Sequence, residues 1–148
     1  MITIKSPEEL NQILSNVNNI ALVPTMGNLH KGHIELIKAA QKVSKNIVVS
    51  IFVNPIQFES QKDHQNYPRS LAEDKRILKI LKVNFLFTPN ACDIYPKNPN
   101  IKYKLPEISN ELCGASRPGH FVGVITIIEK LFDLFKPNYV VLGKKDYQ

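Results

Sequence analysis

The feature that most constrains this chain is a repeated switch of hydrophobic period. Short, nearly unbroken apolar runs alternate with longer amphipathic stretches. Ile20-Ala21-Leu22-Val23-Pro24 reads as a buried strand, and so does the run 46–53, whose core is Ile47-Val48-Val49-Ser50-Ile51-Phe52-Val53. Phe85-Leu86-Phe87 and Tyr139-Val140-Val141-Leu142 read the same way. Strands apolar on both faces need cover on both faces, which is the pattern of a parallel sheet clad by helices. The intervening segments supply the helices. Ser6-Pro7-Glu8-Glu9 is a capping box with proline at the first helical position, so a short helix starts there. The stretch 29–43 is helical, with Leu29, Ile34, Ile37 and Ala40 turned inward. Ser70-Leu71-Ala72-Glu73 is a second capping box, opening a helix that runs to 82. Residues 121–135 form another. The stretch 89–106 is rich in Pro, Asn and Lys and reads as a loop around one further strand at 101–105. The expected architecture is α/β: a Rossmann-like parallel sheet with helices on both faces, one domain over 1–148.

Composition agrees. With 148 residues, 43% hydrophobic and 22% charged, the chain matches an average globular domain, which excludes a disordered tail, a collagen repeat and a coiled coil. The longest apolar runs, 47–53 and 122–128, are too short to cross a bilayer, and residues 1–9 lack the apolar core of a secretion signal. A cytoplasmic protein is expected. Cys92 and Cys113 have no pairing pattern and read as free thiols. The net charge of +6 suits a phosphate-bearing ligand or a nucleic acid, and it equally suits lysines on solvated helix faces.

In parallel α/β sheets, ligands bind where loops leave the carboxyl ends of the strands. The first such loop is Pro24-Thr25-Met26-Gly27-Asn28-Leu29-His30-Lys31-Gly32-His33. It opens a helix, whose N-terminus offers unpaired N–H groups and partial positive charge to a phosphate. Gly27 and Gly32 permit close approach of a ligand or of neighbouring backbone. His30 and His33 are three apart and share a face, so both imidazoles can serve one triphosphate. Solvated or capping histidines are the plainer alternative. A zinc pair is a third, though no cysteine or acid lies beside them in sequence. The Gly-x-x-x-x-Gly-Lys-Ser/Thr phosphate loop is absent. Asn54 and Gln57 leave the next strand on a proline-restricted turn. Their amides either meet a hydroxy acid with fixed donors and acceptors or merely brace the turn. Glu73 and Asp74 lie in a first helical turn, where acids ordinarily complement the dipole. Arg117 offers a planar fork for a carboxylate and His120 a donor beside it; the same Arg-Pro-Gly-His sequence also suits a simple turn. Gly143-Lys144-Lys145-Asp146 follows the last strand.

Taken together, these segments resemble the pantothenate synthetase (pantoate–β-alanine ligase) family, within the nucleotidyltransferases that carry the "HIGH" signature. The resemblance rests on residues 24–33, on Phe52-Val53-Asn54-Pro55-Ile56-Gln57-Phe58, and on Tyr67-Pro68-Arg69-Ser70-Leu71-Ala72-Glu73-Asp74. Leu112-Cys113-Gly114-Ala115-Ser116-Arg117-Pro118-Gly119-His120-Phe121 and Gly143-Lys144-Lys145-Asp146-Tyr147-Gln148 complete it. It implies an ATP- and Mg²⁺-dependent ligase that condenses pantoate with β-alanine through a pantoyl-adenylate. His33 is then the leading catalytic group, with His30 and Lys145 as phosphate stabilisers. ATP falls to Met26, Gly27, Asn28, Leu29, His30, Lys31, Gly32, His33, Gly143, Lys144, Lys145 and Asp146, with Asp146 accepting from the ribose hydroxyls. Pantoate and β-alanine fall to Gln57, Asn54, Arg117 and His120, and Mg²⁺ to Asp74 or Glu73. Lys144 stands where the family usually has Glu, Val122 where it often has Arg, and Asp133 where Asn is usual. The resemblance further implies a homodimer with no nucleic-acid or membrane partner, and a C-terminal domain that this chain does not contain. Another small-molecule nucleotidyltransferase and a non-catalytic nucleotide-binding fragment remain as alternatives. A single-strand nucleic-acid platform would want aromatics interleaved along a basic stripe, which is lacking.

Overall fold

A computed structural model describes residues 1–97 and 103–146. Among them five strands form one sheet: β1 (Ile2–Ile4), β2 (Ile20–Thr25), β3 (Asn46–Ile51), β4 (Phe85–Phe87) and β5 (Tyr139–Val140). All pairings are parallel, in the order β1-β4-β3-β2-β5. The helices are α1 (Pro7–Leu14), α2 (Lys31–Val43), α3 (Gln61–Asn66), α4 (Leu71–Ile80), α5 (Ala91–Ile94), α6 (Cys113–Ser116) and α7 (His120–Phe135). The expected Rossmann-like sheet is therefore present.

Side-chain alternation along the strands builds two cores. Ile20, Leu22, Val48, Phe85 and Phe87 face one way, where they meet Leu10 and Leu14 of α1 and Ile127, Leu131 and Phe135 of α7. Ala21, Val23, Ile47, Val49 and Leu86 face the other way, onto Ile37 and Ala40 of α2 and Leu78 of α4. Burial of both faces explains why the strands read as apolar runs rather than alternating ones.

Five local readings need correction. The strand β1 has no counterpart in the sequence pattern; it is three residues long at a sheet edge, and so short a run carries almost no periodicity. The strand β5 is shorter than 139–142 and is not buried: Tyr139 is 44% and Leu142 50% exposed, because it is an edge paired only with β2. Residues 103–106 are not a strand, and Ile101 and Lys102 of the expected 101–105 strand lie outside the described residues. The second capping box does not form. Ser70 stands at the N-cap of α4, but its hydroxyl donates to Asp74 at 3.2 Å, while Glu73 turns outward to Arg76 at 2.7 Å. The first box is half made. The Ser6 hydroxyl accepts from the Glu9 amide, and the Glu9 carboxylate reaches back to the Lys5 amide rather than that of Ser6.

Cys92 and Cys113 are free and exposed. Among the described residues no helix is long and apolar enough to cross a membrane.

Candidate active site

From β2 the chain crosses through α2 to β3 on one side, and later returns through α7 to β5 on the other. The loops after β2 and β5 thus diverge at a topological switch point, where an α/β sheet opens a crevice.

The loop after β2 is held from below. Gly27 and Asn28 adopt positive φ, +82° and +53°. The Thr25 hydroxyl accepts from the Gly27 amide at 3.1 Å. The Asp74 carboxylate accepts from the amides of Asn28 at 3.0 Å and Leu29 at 2.8 Å. A side chain on Gly27 would come within 3.1 Å of that carboxylate, so glycine is required by close approach as well as by φ. Asp74 is 1% exposed and also receives the Ser70 hydroxyl. A buried carboxylate with three donors is a structural anchor.

The head of α2 is capped by imidazoles. Nδ1 of His30 accepts from the Gly32 amide at 3.1 Å, and Nδ1 of His33 accepts from the His30 amide at 3.4 Å. Their ring centroids are 4.2 Å apart. This is why α2 starts at Lys31 rather than 29, and why position 32 is glycine: a Cβ there would sit 2.9 Å from the His30 ring. The expectation of free amides awaiting a phosphate is narrowed, since those of Gly27, Asn28, Leu29, His30 and Gly32 are already bonded within the protein. What is offered instead follows from the caps. An Nδ1 that accepts carries no proton, so each neutral ring keeps its proton on Nε2, pointing away from the backbone. His33 is half-buried; burial first, then the His30 ring and the Lys145 ammonium, hold it below the usual histidine range, with Asp74 and Asp146 opposing. That field also places the turn 144–146 near the imidazoles. Lys145 itself is 71% exposed and pairs with Asp146 at 2.8 Å.

Beyond β3 lies the turn 54–57. Asn54 is fully buried and saturated. Its Nδ2 donates to the Gly123 carbonyl at 2.9 Å and to Oε1 of Gln57 at 3.2 Å; its Oδ1 accepts from the Tyr95 hydroxyl at 3.1 Å and the Ile56 amide at 3.4 Å. The Gln57 Nε2 group donates to the thioether of Met26 at 2.9 Å. The His120 ring donates from Nδ1 to the Gln57 carbonyl at 3.0 Å. Of the four expected substrate residues, then, Gln57 stands beside the β2 loop, Asn54 is spent on holding it, and His120 holds it through Nδ1. Arg117 is exposed and borders a separate open cleft of about 440 Å³ with Tyr103, Phe121 and Val122.

The expected metal acids do not come together either. Asp74 is occupied by amides and Glu73 by Arg76, and no group of three or more His, Cys, Asp or Glu side chains that could hold an ion occurs among the described residues. Asp74 is thus committed to the loop after β2, while exposed Glu73 is engaged only by Arg76 across a surface ion pair.

The model of one family, pantoate-beta-alanine ligase, matches residues 2–148. The chain belongs to the pantoate-beta-alanine ligase family. Curated pantothenate synthetases from Methylobacillus flagellatus and Idiomarina loihiensis are 50% and 49% identical to it, over 91% and 100% of this chain and 49% and 53% of theirs. The chain thus spans about half the length of these relatives. The crystal structure of the Francisella tularensis pantoate-beta-alanine ligase, complexed with beta-gamma ATP and beta-alanine, superposes with a TM-score of 0.93 at 46% identity, covering 99% of this chain and 58% of that one. The Thermus thermophilus pantothenate synthetase gives 0.92 at 37%, covering 99% and 53%.

Within this ligase-family fold, two tyrosines to which the sequence reading gives no role stand out. Tyr67 is half-buried, which raises its phenol above the usual range, and it feels the charges of Lys145, Asp74 and Arg117. Tyr95 reaches Asn54 across 41 positions. No local pattern announces such a partner; only Pro68 and Pro96, which restrict the residue before each, mark these places as shaped.

Proposed function

We propose that this chain is the nucleotide- and pantoate-binding part of an ATP-dependent ligase that condenses pantoate with β-alanine. The observation that carries the reading is the pair of imidazoles capped through Nδ1, both offering Nε2–H at the switch-point crevice, with the Gln57 amide beside them. A carboxylate is a poor acyl donor. Attack by the pantoate carboxylate oxygen on the α-phosphorus forms a P–O bond and breaks the bond to pyrophosphate, giving an acyl phosphate with a good leaving group. The β-alanine amine then attacks the acyl carbon, loses a proton and expels AMP. Neither step needs a protein nucleophile. The protein holds charge and orients partners. His33 and His30 donate to phosphate oxygens as negative charge builds, Lys145 meets the same chain of phosphates from the β5 side, and Asp146 accepts from the ribose hydroxyls. Gln57 donates to a pantoate oxygen in place of the Met26 sulfur. Mg²⁺ is not assigned to any residue of this chain. The family resemblance adds a homodimer and a cytoplasmic setting; sedimentation of the protein would test the first.

Pantoate-dependent exchange between pyrophosphate and ATP tests the reading. His33→Ala should lower the rate by about 10²–10³-fold, the size of losing one preorganised transition-state donor. A near-normal rate would remove His33 from the chemistry. Exchange that ignores pantoate would point to another nucleotidyltransferase, and no exchange by the wild type to a nucleotide-binding module.

A further inference from the structure

Gln57 meets the crevice with an amide, and an amide has two different ends. Which end faces the substrate decides whether the site binds an oxygen acceptor or a donor. The structure settles that choice through a chain of hydrogen bonds starting well outside the crevice. The Gly123 carbonyl can only accept, so it takes the Nδ2 end of Asn54 at 2.9 Å. At the other end of the same amide the Tyr95 hydroxyl donates to Oδ1 at 3.1 Å, the shorter of the two contacts that oxygen receives. Asn54 is clamped between a fixed acceptor, the Gly123 carbonyl, and two donors, the Ile56 amide and the nearer Tyr95 hydroxyl. Its second Nδ2 proton goes to Oε1 of Gln57 at 3.2 Å, which leaves Nε2 of Gln57 pointing at Met26. A thioether is a weak acceptor, so that donor is ready for a better one.

We propose that Tyr95 is a positioning residue: through Asn54 it holds the Gln57 amide with its N–H edge, not its oxygen, toward the substrate. The site thereby selects a ligand that presents a carboxylate or hydroxyl oxygen at this point. Tyr95 is suited to the task. Its ring packs against Phe52, centroids 6.2 Å apart, beside the core built on Ile94. Burial drives its phenol far above the usual range, so the proton it donates is present at every working pH. The inference deepens the pantoate reading above and rests on it.

The test is a double-mutant cycle in the full-length ligase. Tyr95→Phe keeps the ring and removes only the hydroxyl. Because the lost orientation affects ground state and transition state alike, the KM for pantoate should rise about five- to tenfold with kcat changed less than about twofold. In a Gln57→Ala background the same change should alter that KM less than about twofold, since the residue Tyr95 acts through is gone. A merely structural hydroxyl gives the same penalty in both backgrounds, and a melting curve of each variant confirms that folded protein is compared. Equal penalties in the two backgrounds, or none in either, overturn the proposal. Wild-type protein that forms no pantothenate overturns the functional reading itself and this inference with it; an active wild type indifferent to Tyr95 overturns the inference alone.

Discussion

At the scale of single residues, burial sorts the acids and imidazoles into different jobs. Asp74 lies in the first turn of α4, where an acid ordinarily caps or complements the dipole. Instead it reaches under another loop and fixes two backbone amides 45 and 46 positions away. His33 shows the opposite case, an imidazole whose Nδ1 is taken by the His30 amide and whose Nε2–H is left to donate. In a histidine NMR titration of this chain, His33 should have its midpoint below the ordinary 6.5. Lys145→Ala should move that midpoint upward, because one of the charges opposing protonation is removed. A wild-type midpoint at or above 6.5 would contradict the burial argument. The sign for stability follows. With a depressed folded value, the unfolded chain binds this proton first as pH falls, so acidification from 6.5 toward the folded value weakens the fold.

At the scale of elements, α7 matters most because its first turn is a wall of the site. Gly123 lets that helix touch the turn after β3. A Cβ there would stand 2.5 Å from the Gln57 Cα and 2.6 Å from its nitrogen, both backbone atoms that cannot swing aside. Gly123→Ala should therefore cost about 1–3 kcal/mol by overpacking, read as a drop of several degrees in melting temperature. Gly119→Ala is the control: nothing lies within 4 Å of its added Cβ, and only the +79° φ opposes it. The smaller loss should come from position 119. The reverse order would mean that α7 does not bear on the turn. The same contact explains how His120 and Asn54, 66 residues apart in sequence, come to hold one glutamine.

At the scale of the whole molecule, the parallel order brings the loops after β2, β3 and β5 to one edge of the sheet. His30 and Lys145 are exposed, so a triphosphate bound to them would face water on the far side. Water weakens the hydrogen bonds and charges that must act there. We expect this chain alone to bind ATP weakly and to turn over at least about 100-fold more slowly than a polypeptide of full family length, where a closed site regains one missing donor or more. Pantothenate formation by the two, measured side by side, checks this. Equal rates would show that one side of the crevice suffices.

Much of this protein was legible in its order of residues. The runs Ile20–Val23 and Ile47–Ile51 could only be strands covered on both faces, and helices between them force a parallel sheet. Gly27, His30, Gly32 and His33 fall at a helix head, where small residues and polar rings have mechanical reasons to be. These are local properties, carried by neighbours one to four positions apart. What the tertiary structure alone decided is which polar groups are free. Asp74 and Asn54 carry the same chemistry on paper as His33 and Gln57, yet partners 45 to 69 positions away consume them, while His33 keeps its Nε2–H and the Gln57 Nε2 meets only a thioether. A hydrogen bond once made inside the fold is unavailable to a ligand, and no local pattern records where its far end lies.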